Sequence, residues 1–86
     1  MSSYFEKRLL DYKNERVNFK SISSNSISSI YKVFIDNDYA FKCECVPGWI
    51  KVFDIQNSSF DNNKYWIDMF DDFIDLIYLY IEKKGE

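Results

Sequence analysis

Four aspartates, Asp68, Asp71, Asp72 and Asp75, recur at i, i+3, i+4 and i+7 near the end of an 86-residue chain. On an α-helix that spacing places all four carboxylates on one face. Neighbouring helix residues diverge by about 100°, so Asp71 and Asp72 do not confront each other as an acid/base pair. What such a row does is present negative charge. Like charges at these spacings cost a few tenths of a kcal/mol each, and Asp is a poor mid-helix residue. Lys64 is the single cation between residues 61 and 75. Local conflict of this kind often marks a functional surface. Asp68, Asp71, Asp72 and Asp75 are therefore the first partner-binding candidates, a row of carboxylates standing in for a nucleic-acid backbone. Asp36, Asp38 and Glu44 are the second. The competing reading is a solvated acidic face.

Catalysis has little to work with. The chain contains no histidine, which removes the commonest general base and every Ser–His or Cys–His pair. Two glycines cannot build a phosphate-cradling loop. Asp36 and Asp38 flank Asn37, which is turn chemistry before it is a cation site. Cys43 and Cys45 lie two apart on a strand, about 6.5–7 Å between Cα atoms, at the outer limit for a disulfide. They read as reduced, partly buried thiols, which favours a cytosolic setting. A zinc site would need two further ligands, and no CxxC pair supplies them. No enzyme, no metal and no cofactor is expected.

These residues must be positioned by a small fold. The length allows one domain, residues 1–86. Eight Phe, seven Tyr and two Trp supply large core side chains. Ser3-Tyr4-Phe5-Glu6 fits a capping box, and Phe5, Leu9 and Tyr12 then fall on one face of a helix over 4–15. From Val17 the period changes to two. Strands are expected over Val17–Ile22, Ile27–Ile35 and Tyr39–Val46, with turns at Ser23–Ser26 and Asp36–Asp38. After Pro47-Gly48, Trp49 to Ile55 reads as a fourth strand or a continuation of the third, with Trp49, Lys51, Phe53 and Ile55 toward the core. Residues 56–63 form a polar loop. A long amphipathic helix, capped by Asp61 or Asn62, runs to Lys83, its apolar arc holding Trp66, Met69, Phe70, Phe73, Ile74, Ile77, Tyr80 and Ile81. Leu79 falls within the acidic arc, and Tyr65 and Tyr78 sit at its borders. The expected class is α+β: an N-terminal helix, a three- or four-stranded antiparallel meander and a C-terminal helix, both helices on one face.

Charge is uneven along the chain. Residues 1–35 hold six cationic and three acidic residues, and residues 36–86 hold five and eleven. The helix–strands–helix order is superficially similar to the double-stranded RNA-binding domain, but that domain needs cations on its last helix. Direct nucleic-acid binding is therefore not expected. Neither a signal peptide nor a transmembrane segment is expected, because charge begins at Glu6 and no run of 18 apolar residues occurs.

Ser24-Asn25-Ser26-Ile27 before a strand, and the Asp36-Asn37-Asp38-Tyr39 turn, together with size, acidity and element order, resemble the small phage-encoded anti-CRISPR proteins, specifically the compact inhibitors of the CRISPR nuclease. The resemblance implies a protein that places carboxylates in a DNA-binding groove. Acids in that group concentrate in loops and strand ends, so no individual residue is carried over. The resulting expectation is a phage or mobile-element inhibitor in the host cytosol. It would dock on the basic, nucleic-acid-binding surface of a host defence protein such as a CRISPR effector. The alternatives are an immunity or antitoxin protein neutralising a basic toxin, and a structural homodimer.

Overall fold

The structure, a computed structural model, describes residues 4–85. Its elements are α1 (Tyr4–Asp11), β1 (Val17–Ser24), β2 (Ser29–Ile35), β3 (Asp38–Val46), β4 (Trp49–Phe53), β5 (Lys64–Ile67) and α2 (Phe70–Lys84). The strands form one antiparallel sheet in chain order. The α+β class expected from the sequence holds. The strand count does not: the meander has five strands, where three or four were expected.

Two tight turns set the register. Asp36 and Asn37 both take positive φ, 54° and 69°, the two-residue hairpin geometry that short Asx side chains tolerate. Gly48 has φ 94°, as expected after Pro in a turn that needs a left-handed residue. A bulge between Val33 and Phe34 lets Ala40 slip out of pairing, so β3 buries both Ala40 and Phe41.

Cross-strand pairing places Val17, Ile35, Val33, Tyr31, Phe41, Cys43, Cys45, Val52, Ile50 and Ile67 on one side. All are buried. Both helices pack there. From α1 come Phe5 and Leu9; from α2 come Phe70, Phe73, Ile77 and Tyr80, at helical spacing. Phe73 meets Phe41 edge-on at 6.3 Å, and Tyr80 meets Phe41 at 5.9 Å. The Tyr31 hydroxyl donates to Glu6 Oε2 at 3.0 Å, tying α1 to β2. Ser3, the proposed cap of α1, lies outside the described residues, and the helix ends at Asp11 rather than Glu15.

Three expectations need correction. Residues 64–67 are a strand, not the first turn of the last helix, and α2 begins at Phe70. Tyr65 and Ile67 face the core across from Val52 and Ile50. A four-residue strand shows only two cycles of alternation, too little to be told from a helical arc. Consequently Trp66 and Met69, placed on the buried arc, are 61% and 58% exposed. The third correction concerns β4: Ile50 and Val52 are the core residues, while Trp49, Lys51 and Phe53 point away. Both faces of β4 carry large apolar groups, so composition alone cannot orient it. Pairing with Cys45 and Cys43 on β3 does. Ile55 returns to the core because Asp54, at φ 55°, turns the chain over.

The 54–63 loop is anchored by its own polar groups. The amide of Ile55 donates to Asn63 Oδ1 at 2.9 Å, and that of Ser59 to Asn57 Oδ1 at 2.8 Å. Phe60 within it is buried and stacks on Tyr80 at 5.7 Å.

Candidate functional site

Strands alternate, so every inward residue leaves a neighbour on the other face. With both helices on the inner face, no described element covers the outer one. The register fills that face with two chemistries. Lys20, Lys32 and Lys42 stand directly across from one another on β1, β2 and β3, and the same row continues through Phe53 to Lys64. The next row runs Ile30, Glu44, Lys51, Trp66. At one end Phe34 pairs with Tyr39, and at the other Trp49 closes β4. Five lysines, one glutamate and five aromatic rings thus share an open surface.

The local geometry is that of cations laid over rings. Lys51 Nζ lies 5.1 Å from the Phe53 centroid and 5.3 Å from that of Trp66. Lys32 Nζ lies 5.4 Å from the Tyr39 ring. Contacts of this kind are worth about 0.5–1 kcal/mol at exposed positions. Trp49 and Trp66 are 4.5 Å apart, edge to face. Phe34 and Tyr39 are 6.0 Å apart. Burial, and then the Asp54 carboxylate that its hydroxyl meets at 2.7 Å, push the Tyr39 phenol up. It therefore remains a neutral donor. Like charges directly opposite on a sheet are destabilising, so the Lys20–Lys32–Lys42 row is a feature that folding alone does not favour.

The acidic candidates separate into three places. Asp68 precedes α2, and Met69 is its N-cap with extended backbone (φ −123°, ψ 128°) and no side-chain cap. Asp71 and Asp72 are then in the first helical turn, and Asp75 follows in the second. Carboxylates in a first turn interact favourably with the unpaired amides and dipole of the helix. The conflict inferred from a mid-helix row is absent for Asp71 and Asp72. All four aspartates are exposed. Asp36 and Asp38 lie at the β2–β3 turn and hold the chain together. The Arg16 guanidinium grips Asp36 through two bonds of 2.8 and 2.7 Å. Lys84 Nζ sits 3.7 Å from Asp36 and 3.2 Å from Asp38. The Arg16 hydrogen bonds hold the Asp36 carboxyl below its usual range, against partial desolvation. Glu44 belongs to the outer sheet face, across from Lys51. The structure therefore does not gather the seven carboxylates into one surface.

The two thiols are free and buried. Burial pushes the Cys43 thiol well up, the opposite of what a nucleophile or metal ligand needs. Among the described residues no group of three or more His, Cys, Asp or Glu side chains is placed to hold a metal ion. No described helix is long and apolar enough to cross a membrane.

The outer-face lysines are dispersed along the chain and come together only across the sheet, so charge counted along the sequence does not reveal them. A signal was present: Phe19-Lys20-Ser21, Tyr31-Lys32-Val33, Phe41-Lys42-Cys43 and Ile50-Lys51-Val52 each set a lysine between inward-facing neighbours. No protein-family description, no curated protein and no solved structure matches this chain. The site's own geometry therefore carries the functional reading.

Proposed function

We propose that this is a non-catalytic binding protein that takes an anionic macromolecule on the open face of its sheet. The observation that carries it is the in-register row Lys20, Lys32, Lys42 on a face that no described helix covers. Three ammonium groups held side by side oppose folding and favour an anion. Lys51 and Lys64 extend the charge across β4 and β5. The test is retention of the purified chain on a polyanion matrix, eluted with salt. Lys32→Glu with Lys42→Glu should abolish retention while leaving the circular dichroism spectrum unchanged, because both side chains lie on the face away from the core. Retention unaltered by that pair of changes overturns the reading.

A second reading is the acidic inhibitor suggested by the sequence, docking α2 on a basic groove of a host nuclease. It is supported by exposed Tyr78 and Leu79, 52% and 40% accessible, which follow Asp75 at i+3 and i+4. Exposed aromatic rings are enriched at protein interfaces, whose rims are polar. Asp71→Lys with Asp75→Lys discriminates: loss of a protein partner under these changes, with polyanion retention intact, selects the helix face.

A further inference from the structure

We infer that the anionic macromolecule is single-stranded nucleic acid, its phosphates meeting the lysines and its bases stacking on the aromatic rings. This rests on the open-face reading above and narrows it. The lysines alone would accept any polyanion. The rings are what choose. Phe34 with Tyr39 and Trp49 with Trp66 form two aromatic clusters at opposite ends of the face, with the lysine row between them. Successive outer-face rows are spaced two residues along the strands, so the Phe34 and Trp49 ends lie about 20 Å apart. A run of a few unstacked nucleotides spans that distance with bases reaching both clusters. Every base has a π-face, so such a platform tolerates sequence variation, and each stacked base contributes roughly tenfold to a hundredfold in affinity.

The same geometry disfavours the other anions. Across five strands the face is about 19 Å wide, too broad and flat to enter a major groove about 12 Å across. A duplex also keeps its bases stacked away from the rings. An acidic peptide would satisfy the lysines and leave the aromatic groups without planar partners. An anionic membrane surface calls for apolar groups that protrude, whereas Phe34, Tyr39, Trp49 and Phe53 are half-buried and only Trp66 stands well clear.

Both tryptophans of the chain, Trp49 and Trp66, lie on this face, so intrinsic fluorescence reads occupancy directly. The experiment titrates the wild-type chain with oligo-dT, with a duplex of equal length, with poly-glutamate and with vesicles rich in anionic lipid. Oligo-dT should quench the fluorescence saturably, at least tenfold more tightly than the duplex. With three or four phosphates neutralised, log affinity should fall against log salt with a slope of about −2 to −3. Trp66→Ala, read by competition or anisotropy of a labelled oligonucleotide, should weaken binding roughly tenfold or more. If duplex, poly-glutamate or vesicles bind as tightly as oligo-dT, the inference fails and the open-face reading survives. If none of the four binds, both fail.

Discussion

The two faces of this sheet carry nearly the same number of aromatic rings and behave oppositely. On the inner face, Phe19, Phe41 and Tyr65 meet Phe73, Tyr80 and Phe60 from the rest of the chain, Tyr31 hydrogen-bonds Glu6 of α1, and cysteines and β-branched residues fill the gaps. On the outer face, Phe34, Tyr39, Phe53, Trp49 and Trp66 are interleaved with lysines and meet neither described helix. The inner rings remove apolar area from water and hold the fold together. The outer ones leave a half-wet surface whose cations repel one another. An aromatic-rich sequence does not by itself say which job a ring has. Burial by a partner element decides it, and here α1 and α2 both go to one side.

The largest effect should come from emptying the inner face. Phe73 is fully buried against Phe19, Phe41 and Phe70. Phe73→Ala should cost about 3–5 kcal/mol, a large part of the stability of a domain this size. The outer counterpart, Trp66→Ala, should cost under about 1 kcal/mol, since an exposed ring leaves no cavity. Urea denaturation of the two variants compares the faces directly. Equal losses would mean that the outer rings are also structural.

Charge gives the next contrast. Replacing Lys42 by Thr removes the like charge across from Lys32, leaves the Lys32–Tyr39 contact in place, and should raise stability by about 0.2–1 kcal/mol, with polyanion retention weakened. A variant that gains stability as it loses binding is the expected mark of a surface maintained for a partner. Removing charge from the start of α2 should do the reverse. Asp71→Asn with Asp72→Asn should lower stability by about 0.3–1 kcal/mol for each carboxylate at low salt, with retention unaltered. Added salt should shrink that loss. If instead it leaves stability unchanged, the acids serve something other than the helix.

The smallest effect should be at the β2–β3 turn. The Asp36 carboxyl titrates below its unfolded value because Arg16 hydrogen-bonds it. A lowered folded value means the pair's stabilisation is present above the unfolded pKa and is lost as pH falls through the folded one. Asp36→Asn should therefore flatten the acid side of the stability profile slightly and leave neutral-pH binding untouched. The pair is exposed and screened, so the change should be modest. A steep acid limb that survives the substitution would assign it to other carboxylates.

Much of the architecture is legible in the residues. The hairpin at Asp36-Asn37, the turn at Pro47-Gly48 and the alternation of β2 and β3 carry local signals, because turn geometry demands particular backbone angles and a half-buried strand demands a period of two. The apolar positions Phe73, Ile77 and Tyr80 of α2 are equally plain. The start of α2 is not. The helical wheel runs smoothly back through Trp66, and nothing local to Lys64-Tyr65-Trp66-Ile67 says that β4 is waiting to pair with it. That error moved Asp71 and Asp72 from a first helical turn to mid-helix, and made a favourable placement look costly.

By itself, then, the sequence determined the class, the turns, the inner faces of β2 and α2, and the absence of histidine chemistry, all properties of residue type and short-range spacing. The tertiary structure alone decided which side of β4 is core, that residues 64–67 close the sheet, and that Lys20, Lys32 and Lys42 stand in one row. Those three facts depend on cross-strand register and on where the helices pack. They join residues on different strands, from Cys45 with Ile50 to Ile50 with Ile67, and a pattern read within a strand has no access to what lies across from it.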